Sequence, residues 1–521
     1  MVKKLSSPLS PAGRHRSMDA LIRFMGIACD TQYSETKGNK GRGAAQRRLK
    51  LLGAILVGLV CILGVIHLCF PGHAHRVIRH AKKLRVPIAA AKSGGSPASN
   101  RYRSTFSHRQ VLDFIVSGRL NLVDLEINHR DLDQSEEDTY EGVFGVFCKL
   151  NFAAHKNNPS GVPMFRDLVG KSPLCDSDYD SEAEDDVLEE GEEDVPRGRV
   201  RVNLKQLAEM SRKADEREMF PETHNLKLAG VAFHESRCGS TLVANSLIAM
   251  NPVKHRVYSE SAPPLAALSL CSRALEGDDE GPCTVEQGAM LLRDVMYFMG
   301  RSQDPKEERF FFKIQSAGTR MLEIFQRAMP ETPWIFVYRD PVQVMMSHFA
   351  HGKRSANCLR SLHNPPHILQ RIAERKGYNA GGRPANDDDE GEGAQPQGGR
   401  KLSAEEFCAA HLATLTETAV EQIANSNGLG MAVNYVSLPK IMYEQVLPKW
   451  GVTPSQQEID NILEVSGHYS KGRGKQAGEW HEDSEAKEEM ATTEIQDASK
   501  IFLQESYDLL EEVAKRQSSE I

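Results

Sequence analysis

The sequence predicts an α/β fold in which a doubly wound parallel sheet is flanked by helices. From about residue 200 onward, short apolar segments that are typical of buried strands alternate with segments of helical periodicity. The predicted strands lie at 228–234, 256–259, 309–314, 334–338 and 431–436. Polar loops follow the first and fourth of these strands, and doubly wound sheets bind ligands at the carboxyl ends of their strands.

The loop after the first strand has the layout of a phosphate site of P-loop type. Residues 231–241 (Val-Ala-Phe-His-Glu-Ser-Arg-Cys-Gly-Ser-Thr) run from an apolar strand through a tight turn into an apolar-periodic helix. A helix that begins at Ser240 or Thr241 points free N–H groups and its positive dipole end at the turn, where Arg237 also lies. An ordinary capped helix is the alternative. Gly239 is followed by Ser240 without a lysine, so this is not a Walker A loop, and an ATPase or kinase is disfavoured.

The loop after the fourth strand carries a second candidate anion site. Residues 334–338 form the predicted strand, and Arg339 stands at its carboxyl end. Pro341 is well placed to begin the next helix. Ser347 follows Arg339 by eight residues and lies on the second or third turn of that helix, so the two side chains can close on one anion.

The two motifs together resemble the sulfotransferase superfamily, over about residues 226–480. Residues 236–241 are similar to the 5′-phosphosulfate loop of that family, and residues 338–347 are similar to its 3′-phosphate site. The resemblance implies that 3′-phosphoadenosine 5′-phosphosulfate (PAPS) is the sulfuryl donor and that no metal is needed. Many cytosolic members carry lysine where this chain has Arg237, so the loop looks more like that of the membrane-bound, Golgi-like branch.

The resemblance also assigns roles residue by residue. For the 5′-phosphosulfate it points to Arg237, Cys238, Gly239, Ser240 and Thr241, and for the 3′-phosphate to Arg339 and Ser347. Cys238 fills a position where the family often has a small residue, although a thiol near a helix N-terminus can also be reactive.

Sulfuryl transfer needs a base for the acceptor hydroxyl and cations that stabilise the developing charge. Glu260 follows the loop's helix at the distance where tyrosylprotein and related branches place a catalytic glutamate. A solvent-facing or N-capping role is the alternative, and Glu235 is a rival base. Lys313 ends an apolar strand, and the resemblance implies that it stabilises the bridging oxygen, with Arg237 as a further cation; a snorkelling surface lysine is the alternative.

A fourth segment, residues 470–480, is similar to the Lys-Gly loop that closes over the nucleotide and ends in Gly-Asp-Trp in the family. Here the interval is longer, and Glu479 replaces the aspartate. The resemblance implies that Lys471 and Arg473 contact the nucleotide. A flexible basic loop is the alternative.

The N-terminal part of the chain predicts a membrane anchor. Residues 51–70 contain no charged side chain and have the length that a helix needs to cross a bilayer. The preceding residues 37–50 are basic without an acid, which favours a cytoplasmic tail at 1–50, although residues 75–85 are basic too. We therefore expect a single-pass type II protein with a stem at 71–105 and a catalytic domain in the Golgi lumen. A buried apolar helix is the alternative.

The rest of the chain divides by composition. We expect a folded segment of unassigned role at 106–175, an acidic linker at 176–199 and the catalytic domain at 200–521, with a disordered insertion at 376–399 and an amphipathic helix at 493–515. Of ten cysteines, seven follow the predicted membrane span, which allows up to three disulfides with Cys238 free. Neither His-rich piece has metal-ligand spacing, and the net charge of −7 argues against nucleic acid as a partner.

The predicted function is a membrane-anchored, PAPS-dependent sulfotransferase that moves a sulfuryl group to a hydroxyl of a carbohydrate or a protein by in-line displacement. Two alternatives stay open on the sequence. One is a kinase-like phosphotransferase on a P-loop fold. The other is a catalytically degenerate nucleotide-binding scaffold tethered to the membrane.

Overall fold

A computed structural model of the chain describes residues 106–128, 140–175, 195–276, 283–380, 399–468, 470–472 and 484–519. The predicted tail, membrane span and stem lie outside the described residues, as do Arg473 and most of the predicted acidic linker and insertion. Among the helices that are described, none combines the length and the apolar character that crossing a membrane requires.

The strands belong to a five-stranded parallel sheet, a three-stranded antiparallel sheet and two pairs of two-residue strands. In chain order they are β1 (Asn121–Ile127), β2 (Val143–Cys148), β3 (Val200–Asn203), β4 (His224–Asn225), β5 (Lys227–His234), β6 (His255–Ser259), β7 (Arg301–Ser302), β8 (Arg309–Lys313), β9 (Trp334–Tyr338), β10 (Tyr378–Asn379), β11 (Arg400–Lys401) and β12 (Gly430–Asn434).

The central sheet has five strands in the order β12-β9-β5-β8-β6, and every neighbouring pair is parallel. The chain enters at β5 in the middle, builds β6 and β8 on one side and then β9 and β12 on the other, so the sheet is doubly wound. The prediction of a parallel sheet is confirmed. The predicted strand at 431–436 was too long at its end, because the Asn434 side chain accepts a hydrogen bond from the N–H of Val436 and starts a 3₁₀ turn.

The α-helices flank this sheet. In chain order they are α1 (His108–Val116), α2 (Phe152–Asn157), α3 (Phe165–Gly170), α4 (Leu204–Glu216), α5 (Thr241–Met250), α6 (Ala262–Leu270), α7 (Val285–Met299), α8 (Leu322–Ala328), α9 (Pro341–Phe349), α10 (His367–Arg375), α11 (Ala404–Ala424), α12 (Leu447–Lys449), α13 (Gln456–Ser466), α14 (Ser484–Glu489), α15 (Thr493–Phe502) and α16 (Gln504–Ser519). Helix α5 packs on β6 and β8, whereas α11 and α16 pack on β12.

Short 3₁₀ segments and one π-helical turn connect these helices and strands. The 3₁₀ segments are Pro173–Cys175, Ser272–Glu276, Ser316–Met321, Lys353–Ser355, Asn357–Leu359 and Tyr435–Ser437, and the π-helical turn is Met442–Val446. The single C-terminal helix predicted at 493–515 is wrong, because the chain turns at Leu503 between α15 and α16. This turn allows two consecutive apolar residues, Phe502 and Leu503, both to be buried.

Residues 106–175 pack onto the catalytic fold. Strands β1, β2 and β3 form an antiparallel sheet, so a strand from beyond the predicted linker completes the N-terminal segment. The Tyr140 hydroxyl donates to Asp294 of α7 at 2.5 Å, and Arg301 Nε donates to the carbonyl of Val116 at 2.6 Å. These contacts fix the N-terminal segment beside the parallel sheet, within one compact unit that spans Tyr102–Ile521.

Among the described residues three disulfides are present and Cys238 is a free thiol, as the cysteine count allows. The pairs are Cys148–Cys175, Cys271–Cys283 and Cys358–Cys408. Each pair joins residues that lie in separate helices, strands or loops, so the disulfides restrict the unfolded chain and add to the stability of the fold.

Candidate functional site

The β5–α5 loop forms a tight turn that requires glycine. Arg237 and Gly239 have positive φ values of 70° and 88°. A Cβ atom on Gly239 would lie 2.3 Å from the ring of Tyr435, which glycine avoids. Helix α5 begins at Thr241, and the Ser240 side chain makes no capping hydrogen bond. An ordinary side-chain cap therefore does not describe this turn, and Gly239, Ser240 and Thr241 line a cavity at the start of the helix.

Cys238 supports the loop from inside the protein. It is fully buried, and its Sγ donates to the carbonyl of Val337 at 3.3 Å. Burial raises the pKa of the Cys238 thiol to about 12, and the nearby carboxyl of Glu235 adds to this effect. The thiol is thus protonated at neutral pH, which excludes the reactive-cysteine alternative and leaves Cys238 as a packing residue.

Arg339 is held in a fixed orientation at the carboxyl end of β9. Its side chain is nearly buried, at 6% exposed, and Nε donates to Gln343 Oε1 at 2.6 Å. The guanidinium lies over the ring of Tyr435, with its Cζ 4.7 Å from the ring centre. Helix α9 starts with Pro341 and is capped by the Asp340 side chain. The sequence motif is therefore built as predicted, with a cation at the strand end and Ser347 on the following helix.

Arg237 connects the β5–α5 loop to helix α9. Its Nε and Nη2 atoms donate to the backbone carbonyl of Ser347 at 3.2 and 3.1 Å. Ser240, Thr241 and Arg339 line the same cavity, which has a volume of about 920 Å³. The two motifs that lie a hundred residues apart in sequence thus meet at one cavity, at the point where the strand order of the sheet changes direction.

Glu260 lines this cavity and forms an ion pair with Lys313, which is fully buried. Lys313 ends β8 with 0% of its side chain exposed, and Nζ donates to Glu260 Oε1. Glu260 has a left-handed φ of 56°, and its N–H donates to the carbonyl of Lys313 at 2.7 Å. The helix cap is Ser261 rather than Glu260, and Lys313 has no solvent contact through which to snorkel. The alternatives of a capping glutamate and a snorkelling lysine are therefore wrong.

The ion pair controls the charge of Glu260. Burial alone raises the pKa of this carboxyl. The charge of Lys313 and the hydrogen bond from its ammonium outweigh that effect and lower the pKa to about 2. Glu260 is thus ionised at neutral pH. The rival base Glu235 differs, because burial raises its pKa to about 8 and its Oε2 accepts from the N–H of Arg339 at 3.3 Å.

His234, the last residue of β5, belongs to the site, although we did not predict it from the sequence. Its Nδ1 lies 2.8 Å from the carbonyl of Glu235, and its Nε2 lies 3.8 Å from Glu260 Oε1. Burial and the charge of Lys313 lower the pKa of His234 to about 3, so the ring is neutral. A polar residue at the carboxyl end of a buried strand, directly before an anion loop, was the signal that identifies it.

Lys471 also lines the cavity, whereas Arg473 lies outside the described residues. The carbonyl of Ser470 accepts from Asn245 Nδ2 at 2.9 Å, which ties this segment to helix α5. Burial lowers the pKa of Lys471 to about 8, and repulsion by Lys313, Arg237 and other cations contributes. The structure therefore brings Lys471 to the cavity even though its loop departs from the family's spacing.

The cavity lining is strongly basic. Its Lys and Arg residues are Arg166, Arg237, Arg320, Arg339, Arg360, Lys471 and Lys487, and its one acidic residue is Glu260. The sequence predicted three of these seven. Arg166 was missed because it comes from the N-terminal segment, and no local motif marks Arg320, Arg360 or Lys487 as neighbours of the loop.

His348, Cys358 and Cys408 lie close enough together to hold a metal ion. They form the one such group of potential metal ligands in the described residues. Both sulfurs are bonded to each other, so they are not thiolate ligands. His348 is buried on helix α9, and burial lowers its pKa to about 4.

Comparisons with known proteins return structural neighbours alone, since no protein-family model and no curated sequence matches the chain. The fold is similar to that of sulfotransferase STF9 from Mycobacterium avium, at 10% identity over 57% of this chain and 80% of that chain, with a TM-score of 0.31. It is similar to the sulfotransferase domain of the Synechococcus PCC 7002 olefin synthase, at 12% identity over 56% of this chain and 95% of that chain, with a TM-score of 0.29. A sulfotransferase domain from the curacin biosynthetic pathway matches at 11% identity over 53% of this chain and 98% of that chain, with a TM-score of 0.30. These neighbours are all sulfotransferases, at low identity and low TM-score.

Proposed function

We propose that this protein is a PAPS-dependent sulfotransferase that acts on an acceptor hydroxyl. One observation carries the proposal: a single basic cavity is lined by an anion loop, an immobilised arginine and Glu260, whose carboxylate pairs with the buried Lys313. Glu260 and Lys313 supply a carboxylate and a cation next to the loop, which a simple nucleotide-binding protein does not need. The pair therefore supports an enzyme over a degenerate scaffold.

The residues present fit such a donor. The loop cations and hydroxyls of Arg237, Ser240 and Thr241 suit a phosphosulfate group, and Gly239 leaves room for its oxygens. Arg339 and Ser347 suit a second phosphate some distance away, which PAPS has at its 3′ position and ATP lacks. The volume of about 920 Å³ lies at the upper end of small-molecule pockets, so the cavity can hold a nucleotide together with part of an acceptor.

The reaction needs one proton transfer and one displacement. PAPS supplies a sulfuryl group whose sulfur forms a new bond to the acceptor oxygen while its bond to the 5′-phosphate oxygen breaks. Glu260 accepts the hydroxyl proton of the acceptor, and Lys313 stabilises negative charge on the departing oxygen. Arg237 lies in the β5–α5 loop, where its positive charge balances the negative charge on the sulfuryl oxygens.

Lys313 also tunes the base. With a pKa of about 2, Glu260 is a weak base while Lys313 is paired with it. A donor that carries about four negative charges competes for Lys313 and repels the carboxylate, and both effects raise the pKa of Glu260. The pair therefore gives a base that becomes stronger when the donor is bound.

We further infer that the catalytic domain works in an oxidising compartment of the secretory pathway, anchored by the predicted span at 51–70. Support comes from the three disulfides, since such bonds persist in secreted and luminal proteins and are rare in the cytosol. Protease protection in sealed microsomes tests this placement. Digestion of the catalytic domain without detergent would contradict it.

The experiment that tests the function combines binding and turnover on the full-length protein. Calorimetric titration with 3′-phosphoadenosine 5′-phosphate (PAP), AMP and ATP should rank PAP first. Transfer of ³⁵S from labelled PAPS to a panel of hydroxyl acceptors should then be lost in Glu260→Gln. Equal binding of all three nucleotides, or ATP turnover that requires magnesium, would overturn the proposal in favour of the kinase alternative. PAP binding without any transfer would favour the scaffold.

A further inference from the structure

Three arginines that line the cavity are not among the residues assigned to the donor. Arg166 comes from α3, Arg320 from the 3₁₀ helix Ser316–Met321, and Arg360 directly follows the 3₁₀ helix Asn357–Leu359. We propose that this set of arginines, which we call the arginine wall, binds an anionic acceptor, namely an oligosaccharide that carries carboxylate or sulfate groups. This inference rests on the proposed function, because it names the acceptor class of the same site.

The charge balance of the cavity indicates an anionic acceptor. Seven Lys and Arg side chains and one Glu line the cavity, which leaves six positive charges. A bound donor neutralises about four of them, because a phosphate monoester carries up to two negative charges and the phosphosulfate carries two more. About two positive charges remain in a protein whose net charge is −7, so the excess is local to this cavity.

Arg166 lies close to the reacting groups. Two residues before it, Met164 Sδ accepts from the Ser259 hydroxyl at 3.6 Å, and Ser259 directly precedes Glu260. The charge of Arg166 also contributes to the lowered pKa of Lys471, which places the two cations near each other. Arg166 is exposed and forms no ion pair with another residue in the described part of the chain. Its guanidinium is therefore available to an acceptor beside Glu260.

Arginine on this wall favours carboxylate or sulfate groups. The planar guanidinium binds two oxygens of such a group at once, which the point charge of lysine does not do. Arg360 resembles Arg166 in being exposed, in lining the cavity and in forming no ion pair within the ranges that the structure describes. Two such arginines on separate elements suit an acceptor with more than one anionic group.

The remaining lining groups favour a sugar over a peptide. Gln315, Ser316 and Asn357 line the cavity with neutral hydrogen-bonding side chains. Hydroxyl groups of a sugar can donate hydrogen bonds to such side chains and accept them. The aliphatic residues of the lining are small in number, namely Met164, Ala317 and Ala350, so few apolar anchors exist for the side chains of a peptide.

The test measures acceptor binding to the full-length protein saturated with PAP. The probes are a hexasaccharide of alternating glucuronate and N-acetylgalactosamine, the neutral maltohexaose, and a tyrosine-containing peptide rich in glutamate, all in 0.15 M NaCl. We expect the wild-type protein to bind the anionic hexasaccharide at least about tenfold more tightly than maltohexaose or the peptide. Arg166→Gln and Arg360→Gln should each weaken this binding by about tenfold or more and leave the affinity for PAP unchanged.

Lys171→Gln provides the matched control. Lys171 is exposed, directly follows the same helix α3 and does not line the cavity, so its removal changes net charge equally without touching the wall. An equal effect of Lys171→Gln and Arg166→Gln would overturn the inference, as would tighter binding of the peptide or equal binding of the neutral sugar. PAP binding with no oligosaccharide binding also overturns it but spares the proposed function. Failure to bind PAP overturns both.

Discussion

Arg339 should determine whether the site recognises a 3′-phosphate. Replacement by alanine removes a guanidinium that is 6% exposed and held by Gln343 and by the ring of Tyr435. Because the side chain is already fixed, little conformational entropy is lost when it binds a ligand. The full value of a charge-assisted hydrogen bond should therefore appear in the affinity.

The expected size follows from that arrangement. A hydrogen bond to a charged group contributes up to about 3 kcal/mol, and a fixed donor in a nearly buried place should reach about 2–3 kcal/mol. This corresponds to about a 30- to 150-fold weaker affinity of Arg339→Ala for PAP. AMP lacks the 3′-phosphate, so its affinity should change by less than about twofold.

The assay is a thermodynamic cycle in which the wild-type protein and Arg339→Ala are each titrated with PAP and AMP by calorimetry. Thermal unfolding of both proteins controls for lost packing against Tyr435. Arg371→Ala is a matched variant, since Arg371 is exposed on α10 and does not line the cavity. If Arg339→Ala weakens PAP and AMP equally, the residue supports the fold of the site, and its assignment to the 3′-phosphate is refuted.

Three further predictions concern the base, the loop and a buried carboxyl. Glu260→Gln should lower kcat by about 10²- to 10⁴-fold with PAP affinity retained. Lys313→Met should move the acidic limb of the pH–rate profile to higher pH, because burial then raises the pKa of Glu260 without the opposing charge of Lys313. Steady-state kinetics over pH 4–9 checks both variants, and an unshifted limb in Lys313→Met contradicts the pairing. Gly239→Ala should abolish PAP binding and cost more than about 2 kcal/mol of stability. The Tyr435→Ala background should restore this stability only in part, because the φ of residue 239 stays positive. Full restoration of stability in denaturant titrations would show that the clash with the ring alone matters. Glu235 has a folded pKa raised from 4.5 to about 8, so its contribution to stability is present below about pH 4.5 and is lost as the pH rises toward 8, by up to about 1.4 kcal/mol per pH unit. The free energy of unfolding of Glu235→Gln, measured in urea, should therefore rise relative to that of the wild type over this pH range. Plots of this free energy against pH that run parallel for the two proteins would contradict a protonated Glu235.

The sequence was most informative where function and local chain geometry coincide. Strands β5 and β9 are continuous apolar runs because both faces of a parallel sheet are covered, and each ends in a polar loop whose residues are close in sequence. The contact from Arg237 to the carbonyl of Ser347 joins the first of those loops to helix α9, and this contact was not predicted from the sequence. Glu260 directly follows β6 and Lys313 ends the neighbouring parallel strand β8; the sequence analysis named both residues but did not predict that they pair.

Contacts that depend on distant segments could not be read from the sequence. Arg166 reaches the cavity because β3, which follows the acidic run, completes a sheet with β2 and draws the N-terminal segment against the catalytic fold. The break at Leu503 has the same origin, since the helical periodicity of 493–515 continues through it, and only packing on the core decides the turn. His234 carried no motif of its own, and its role depends on the 3.8 Å approach to Glu260.

The burial of Cys238 gives this protein a built-in reporter of local opening. From residue 106 onward the chain has seven cysteines, and the six others form disulfides, so Cys238 is the one thiol in that part of the sequence. A maleimide can react with it only when the β5–α5 loop separates from the end of β9 and exposes the sulfur. The rate of labelling, read by peptide mass spectrometry, therefore measures the frequency of that opening, and any ligand that occupies the loop should slow it by a factor that grows with the ratio of its concentration to its Kd.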